Sequence, residues 1–275
     1  ICIIGPRASG KTTYLAGLSY HSECGVPRSK YTVSPIGDES RRLKCQAEDI
    51  LLKGLSFDAT GIYVQSVDDL NDYSFKIEVK KGLFQPRSVI ILNVRDYPGE
   101  VFENILYASQ TDSIHEEFIN ESLMPDVDGC LLLFTEWENS KDDFYSRLMS
   151  RFVKIMDEHG RLHNYRLAVV MSKCERGEIW PGRIDPKTDL FGIYLKKTLK
   201  ALKEGIPKQN LAFFALSTFG VLGPYDPRPN HDDALGSGGR ASTLRVPSRW
   251  KPYNLIEPLC WLNREGQKRR EKIRT

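Results

Sequence analysis

Short apolar runs alternate with stretches of helical spacing along most of the chain. Residues 1–4 (ICII) read as a buried strand that runs into a glycine turn, and a helix is expected from Lys11 to about Tyr20. Residues 40–53 place Leu43, Ala47, Ile50 and Leu51 on one helical face. Residues 73–80 (YSFKIEVK) alternate, as a half-exposed strand does, and 88–95 (SVIILNVR) form a more apolar strand. The unbroken apolar run at 129–135 (GCLLLFT) suits a central parallel strand covered on both faces. Next come a helix over 141–158 with Phe144, Leu148, Phe152, Ile155 and Met156 on one side, and a strand at 166–171 (RLAVVM). A helix near 188–204, a strand at 211–216 (LAFFAL) and a closing helix near 253–265 complete the pattern, with Pro258 kinking the last helix or sitting in its first turn.

Strand–helix alternation of this kind predicts an α/β fold in three αβα layers around a mostly parallel sheet. Two stretches interrupt it. Residues 21–72 are long for one connection and read as an insertion after the first helix, with a helix of its own. Residues 221–250 are rich in Gly, Pro, Asp and Ser and read as a long, flexible surface loop. One domain is expected over residues 1–265, with 266–275 as a basic tail or linker. The sequence opens at Ile1, inside a strand and without a methionine, so an excised domain with flanking domains is expected.

Composition narrows the choice. The 275 residues suffice for a sizeable core, and a net charge of +3 demands neither nucleic acid nor a membrane surface. No apolar run reaches the length of a membrane span. Six scattered cysteines without a C-x-x-C pair read as free thiols of a reducing, cytoplasmic compartment. "HEEF" at 115–118 lacks the second histidine of a zinc motif, so no protein-only transition-metal site is expected. Trp180, Trp250 and Trp261 lack interleaved basic residues and read as packing, Glu116 and Glu117 as a solvated helix face, and the "KRREKIR" tail at 268–274 as solvated.

Four segments carry candidate chemistry. Gly5-Pro6-Arg7-Ala8-Ser9-Gly10-Lys11-Thr12 fits G-x-x-x-x-G-K-[ST], between a strand and a helix as that motif requires. Glycines let the backbone curl so that successive N–H groups face phosphate oxygens. Lys11 would reach the β- and γ-phosphates, and the Thr12 hydroxyl would ligate Mg²⁺. The apolar strand at 88–95 ends in Asp96-Tyr97-Pro98-Gly99, where Asp96 would hold Mg²⁺ through a water and the Gly99 N–H would meet the γ-phosphate. The third segment, Ser172-Lys173-Cys174-Glu175, places a carboxylate where it would accept the two N–H donors of a guanine edge, with the lysine stem over the base. In the fourth, Ser217-Thr218 would touch the guanine carbonyl.

In this order G-x-x-x-x-G-K-T, D-x-P-G, S-K-x-E and A-L-S resemble the first, third, fourth and fifth nucleotide-binding boxes of a Ras-like (TRAFAC-type) P-loop GTPase. The likeness spans about residues 1–220 plus the closing helix, and the long insert and late "RWKPYNLIEPLCWL" resemble the bacterial double-GTPase type found in signalling or conflict systems. It implies phosphate contacts from Arg7, Ala8, Ser9, Gly10, Lys11, Thr12 and Thr13, and Mg²⁺ contacts from Thr12 and Asp96. It also implies a switch threonine on Mg²⁺, for which Thr60 in "FDATG" is the first candidate and Thr32 the second. Base contacts would come from Lys173, Glu175, Ser217 and Thr218.

Three departures from the family pattern bear on catalysis and selectivity. Ser172 and Glu175 replace the usual Asn and Asp. Glu100 stands where a water-positioning Gln is common, so hydrolysis would be slow or use another group. Arg7 replaces a small Gly and is either a built-in cation for the γ-phosphate or a solvated side chain. The expected function is thus a guanine-nucleotide-dependent switch, with GTP/GDP and Mg²⁺ as ligands, Lys11, Gly99, Glu100 and Arg7 as catalytic candidates, and protein partners. The rivals are an ATPase or kinase on the same loop, and a weakly hydrolysing nucleotide-bound scaffold.

Overall fold

The computed structural model describes residues 1–20, 31–53, 70–79, 88–107, 113–236 and 239–263. Four parallel strands form the main sheet in the order β1-β5-β6-β7: β1 (Cys2–Ile4), β5 (Gly129–Phe134), β6 (Arg166–Met171) and β7 (Leu211–Ala215). All six positions of β5 and all six of β6 are buried. Apart from Arg166, which opens β6, their sequences have no charged residue, as a strand covered on both faces needs.

The alternation of side chains along these strands divides the core in two. Ile4, Cys130, Leu132, Phe134, Leu167, Val169 and Met171 join one cluster, with Leu148, Phe152 and Met156 of α5 (Asn139–Glu158) and Leu202 of α7 (Lys196–Gly205). Ile3, Leu131, Leu133, Ala168 and Val170 join the other, with Tyr14, Leu15 and Leu18 of α1 (Lys11–Tyr20) and Leu259 and Leu262 of α8 (Glu257–Leu262). Successive strand residues point to opposite faces, so the sheet is covered by helices on both sides. Each large apolar side chain so buried contributes about 1.5–3 kcal/mol.

A second sheet is antiparallel, in the order β2-β3-β4: β2 (Tyr31–Ile36), β3 (Asp72–Val79) and β4 (Ser88–Arg95). It lays Val33, Phe75, Ile77, Ile90 and Leu92 against Leu43 and Ala47 of α2 (Asp38–Lys53). β4 runs beside β1 without sharing a ladder with it. The expected insertion therefore contains a strand as well as the expected helix. β2 escaped notice because Ser34 and Pro35 break its apolar pattern, and its pairing with β3 stabilises it instead.

Residues 221–250 correct the expectation of a flexible loop. They form two antiparallel hairpins, β8 (Val221–Gly223) with β9 (Asp226–Pro229) and β10 (His231–Gly236) with β11 (Gly239–Leu244). Fully buried Asn230 pins them, with its amide group accepting from Val246 N at 2.9 Å and donating to Val246 O at 3.1 Å. The expected helix near 188–204 is also interrupted. A π-helical turn at Pro186–Phe191 and the short α6 (Gly192–Tyr194) precede α7, which starts at Lys196 after the non-helical Leu195. Buried Asp142 of α5 caps α7 from outside, accepting from Lys197 N, Thr198 N and Thr198 Oγ1 at 2.8–2.9 Å. Pro258 lies in the first turn of α8, where its missing N–H costs nothing.

No helix among the described residues is long and apolar enough to cross a membrane. Cys2, Cys45, Cys130 and Cys174 are free thiols. Trp180, Trp250 and Trp261 pack against Tyr253, Tyr20 and Phe214, with Arg183 over Trp180 and Arg166 over Trp261. The 266–275 tail and Thr60 lie outside the described residues.

Candidate functional site

Parallel strands deliver their carboxyl ends to one edge of a sheet, and the loops that leave them share that edge. Here those loops are residues 5–10 after β1, 172–175 after β6 and 216–218 after β7. Three of the four segments singled out in the sequence are thereby neighbours. The fourth, Asp96–Gly99 after β4, is brought in by direct contact.

The 5–10 loop has a left-handed backbone at Ala8 (φ +58°) and Gly10 (φ +87°). Left-handed residues between right-handed ones turn successive N–H groups inward, which makes an anion cradle. Gly5 is tightly enclosed: a Cβ there would stand 2.6 Å from Leu133 O and from Ser9 Oγ. Ser9 is fully buried, and its hydroxyl has no hydrogen-bond partner among the described residues. The loop is held from beneath by Ser172, whose single hydroxyl proton lies between Ser9 O at 2.8 Å and Phe134 O at 2.9 Å. So Ser172 fixes the loop from beneath.

Lys11, Thr12 and Thr13 open α1, where backbone N–H groups have no partner within the helix. No acidic residue stands in that first turn to neutralise its positive end. The Lys11 ammonium donates to Gly5 O at 3.0 Å and Pro6 O at 3.4 Å, curling over the loop. Burial pushes its pKa down, against the pull of Asp96, Glu100 and Glu103. Thr12 Oγ1 donates to Asp96 Oδ2 at 2.8 Å. Asp96 is only 3% exposed, and burial raises its pKa although Thr12 and Lys11 counteract that. Two hard oxygen donors converge, and one is a carboxylate whose charge burial disfavours. This pair fits Mg²⁺, which would take its other ligands from water and phosphate. Thr32 lies on β2, in register with Glu78 of β3.

Beyond Asp96 the chain enters α3 (Gly99–Glu103). Gly99 touches the loop backbone: a Cβ there would stand 2.2 Å from Arg7 N and 2.4 Å from Pro6 C. Glu103 Oε1 accepts the Arg7 N–H at 2.7 Å, and Arg7 Nε pairs with Glu100 Oε1 at 3.1 Å. Of the two expected fates of Arg7, the structure shows the exposed side chain, with an ion pair added. Its side chain is largely exposed yet tied to Glu100.

At the other end Lys173 has φ +54°, and its Cε lies 3.7 Å from where a Gly10 Cβ would stand. Its stem thus spans from the loop towards Glu175. Glu175 is 1% exposed, and burial raises its pKa, opposed first by a hydrogen bond from Ser217 and then by its own backbone, His231 and Lys173. Glu175 Oε1 lies 3.6 Å from His231 Nε2, while Oε2 has no hydrogen-bond partner among the described residues. Ser217 Oγ also accepts from Gly220 N at 2.7 Å. Thr218 faces elsewhere: its methyl lies 2.5 Å from where a Gly17 Cβ would stand, and its carbonyl accepts from Trp250 Nε1 at 2.8 Å. It packs the site against α1.

Sequence reading missed Glu103 and His231. Glu103 had a signal, since acids at 100 and 103 share one face of any helix that follows Gly99. His231 had none, because only the hairpin brings it to Glu175. Among the described residues no cluster of three or more His, Cys, Asp or Glu side chains forms a protein-only metal site. No family model matches the chain, and no curated protein matches it. The residues themselves therefore carry the assignment.

Proposed function

We propose that this chain is a Ras-like P-loop domain that binds guanine nucleotide with Mg²⁺, hydrolyses GTP and acts as a switch within a larger protein. The double-GTPase type in signalling or conflict systems is the setting that its motifs suggest. The observation that carries the reading is the 2.8 Å contact of Thr12 with buried Asp96, which joins the start of α1 to the end of β4 beside the 5–10 loop.

In this reading the amides at Arg7, Ala8, Ser9, Gly10 and the start of α1 cradle the phosphates, with Thr13 at the helix end. Lys11 leaves its two carbonyl partners and neutralises the β- and γ-oxygens. Thr12 and Asp96 hold Mg²⁺, which when bound offsets charge on the phosphates. Glu175, held by Ser217, accepts the two N–H donors of the guanine edge, and Lys173 covers the base. Adenine offers no such donor pair, so base choice rests on Glu175. The Gly99 N–H meets the γ-phosphate, and water attacks that phosphorus in line. The segment from Asp96 to Tyr107 changes conformation when the phosphate leaves.

One observation favours slow turnover, and with it the scaffold reading. Glu100, where a water-positioning side chain would serve, is an acid already paired with Arg7. Single-turnover phosphate release from GTP, with Lys11→Ala as control, separates the two. Release above the control supports a GTPase. Binding without release supports a scaffold, and equal nucleotide affinity in wild type and Lys11→Ala overturns the site.

A further inference from the structure

α3 starts on the 5–10 loop itself, backbone against backbone at Gly99 and Arg7. Glu103 then reaches back, and its Oε1 accepts the Arg7 N–H at 2.7 Å. A carboxylate oxygen and a phosphate oxygen are the same kind of acceptor for such an N–H: anionic, short and charge-assisted. They also exclude each other, because two anions at one donor repel. Glu103 and Glu100 already act on Lys11 as negative charges, in the role a terminal phosphate would take. The covered donor belongs to the beginning of the loop, whereas the amides at the start of α1 lie four or more residues further on. α3 therefore screens one end of the cradle and leaves the α1 end to an inner phosphate.

Resting on the nucleotide reading above, we propose that Glu103 sets the choice between nucleoside diphosphate and triphosphate. Its carboxylate stands in for a terminal-phosphate oxygen, so this form of the protein takes the diphosphate, and α3 must leave the loop before a triphosphate seats fully. Glu100 contributes less. Its pair with Arg7 has side chains 63% and 40% exposed, and ion pairs in water are weak. Arg7 is freed when α3 leaves, which makes its guanidinium available to the triphosphate only in the open form.

The test measures dissociation constants of fluorescent GDP and of a non-hydrolysable GTP analogue, both with Mg²⁺, on the full chain and on Glu103→Ala and Glu103→Gln. Wild type should prefer GDP. Glu103→Ala should shift the ratio towards the triphosphate by about 10-fold or more, the size of one charge-assisted hydrogen bond. Glu103→Gln keeps an acceptor and loses the charge, so it should fall between them, and it serves alone if the alanine variant does not fold. An unchanged ratio, or equal tightening of both nucleotides, overturns the proposal while leaving nucleotide binding intact. Wild type that binds neither nucleotide overturns the nucleotide reading and this inference together.

Discussion

The two ends of the candidate site satisfy their charges in opposite ways. At the 5–10 loop the charged groups have protein partners, Lys11 two carbonyls, Asp96 the Thr12 hydroxyl and Arg7 both Glu100 and Glu103, whereas the uncharged Ser9 hydroxyl lacks one among the described residues. At the β6–β7 end a carboxylate is buried almost completely, and Glu175 Oε2 has no hydrogen-bond partner among the described residues. A ligand at the first end must exchange existing contacts, so its net gain there is the difference between two good sets. A ligand at the second end supplies donors to a group that burial has already desolvated, and desolvated polar groups discriminate most sharply. Under the proposed function, the loop end would give affinity that can be switched and the Glu175 end selection.

Lys11→Ala should break the first end with the largest effect. Removing the ammonium should weaken fluorescent GDP binding about 100-fold, as the loss of two charge-assisted contacts would. Asp142→Ala sharpens the comparison from outside both ends. It strips three hydrogen bonds from the start of α7 and should lower unfolding free energy by about 2 kcal/mol in urea, with the GDP-to-ATP preference unchanged.

Glu175→Gln tests the second end alone. Its amide can present a donor to the guanine donors, so guanine binding should fall about 10-fold while adenine binding holds.

The smallest effect is a pH dependence at Asp96. Its folded pKa is raised by burial, so the folded state binds its proton more tightly than the unfolded chain does. That contribution is fully present below the ordinary Asp range and is lost as pH rises through the raised folded value. Asp96→Asn should therefore gain stability relative to wild type across that interval and level off above it. Melting temperatures of the nucleotide-free proteins at stepped pH read the difference. A constant offset would deny Asp96 its buried charge.

The sequence carried most of the main sheet and less of what surrounds it. β5 and β6 are legible because a strand buried on both faces needs nothing but apolar residues, and β4 of the second sheet because of its apolar run, although its exposed face carries Ile91 and Asn93. α5 is legible because its stripe repeats over five turns. β8 to β11 are not legible, since Gly, Pro and Asp mark turns while the strands between them depend on partners. At the site, Gly5 to Thr12, Asp96 and Glu175 were readable from spacing. Ser217 was readable only as a neighbour, and Thr218 turned out to pack against Gly17. The contacts of Glu103 with Arg7 and of His231 with Glu175 join segments that no local pattern links.

The central claim is that one ligand spans both ends, with phosphates at Lys11 and a guanine at Glu175. Competition of unlabelled GTP and ATP against fluorescent GDP, in the presence of Mg²⁺, tests it most directly. The account predicts displacement by GTP and little by ATP at equal concentration, with the difference shrinking in Glu175→Gln. Equal displacement by ATP in wild type, or no GDP binding at all, would contradict it.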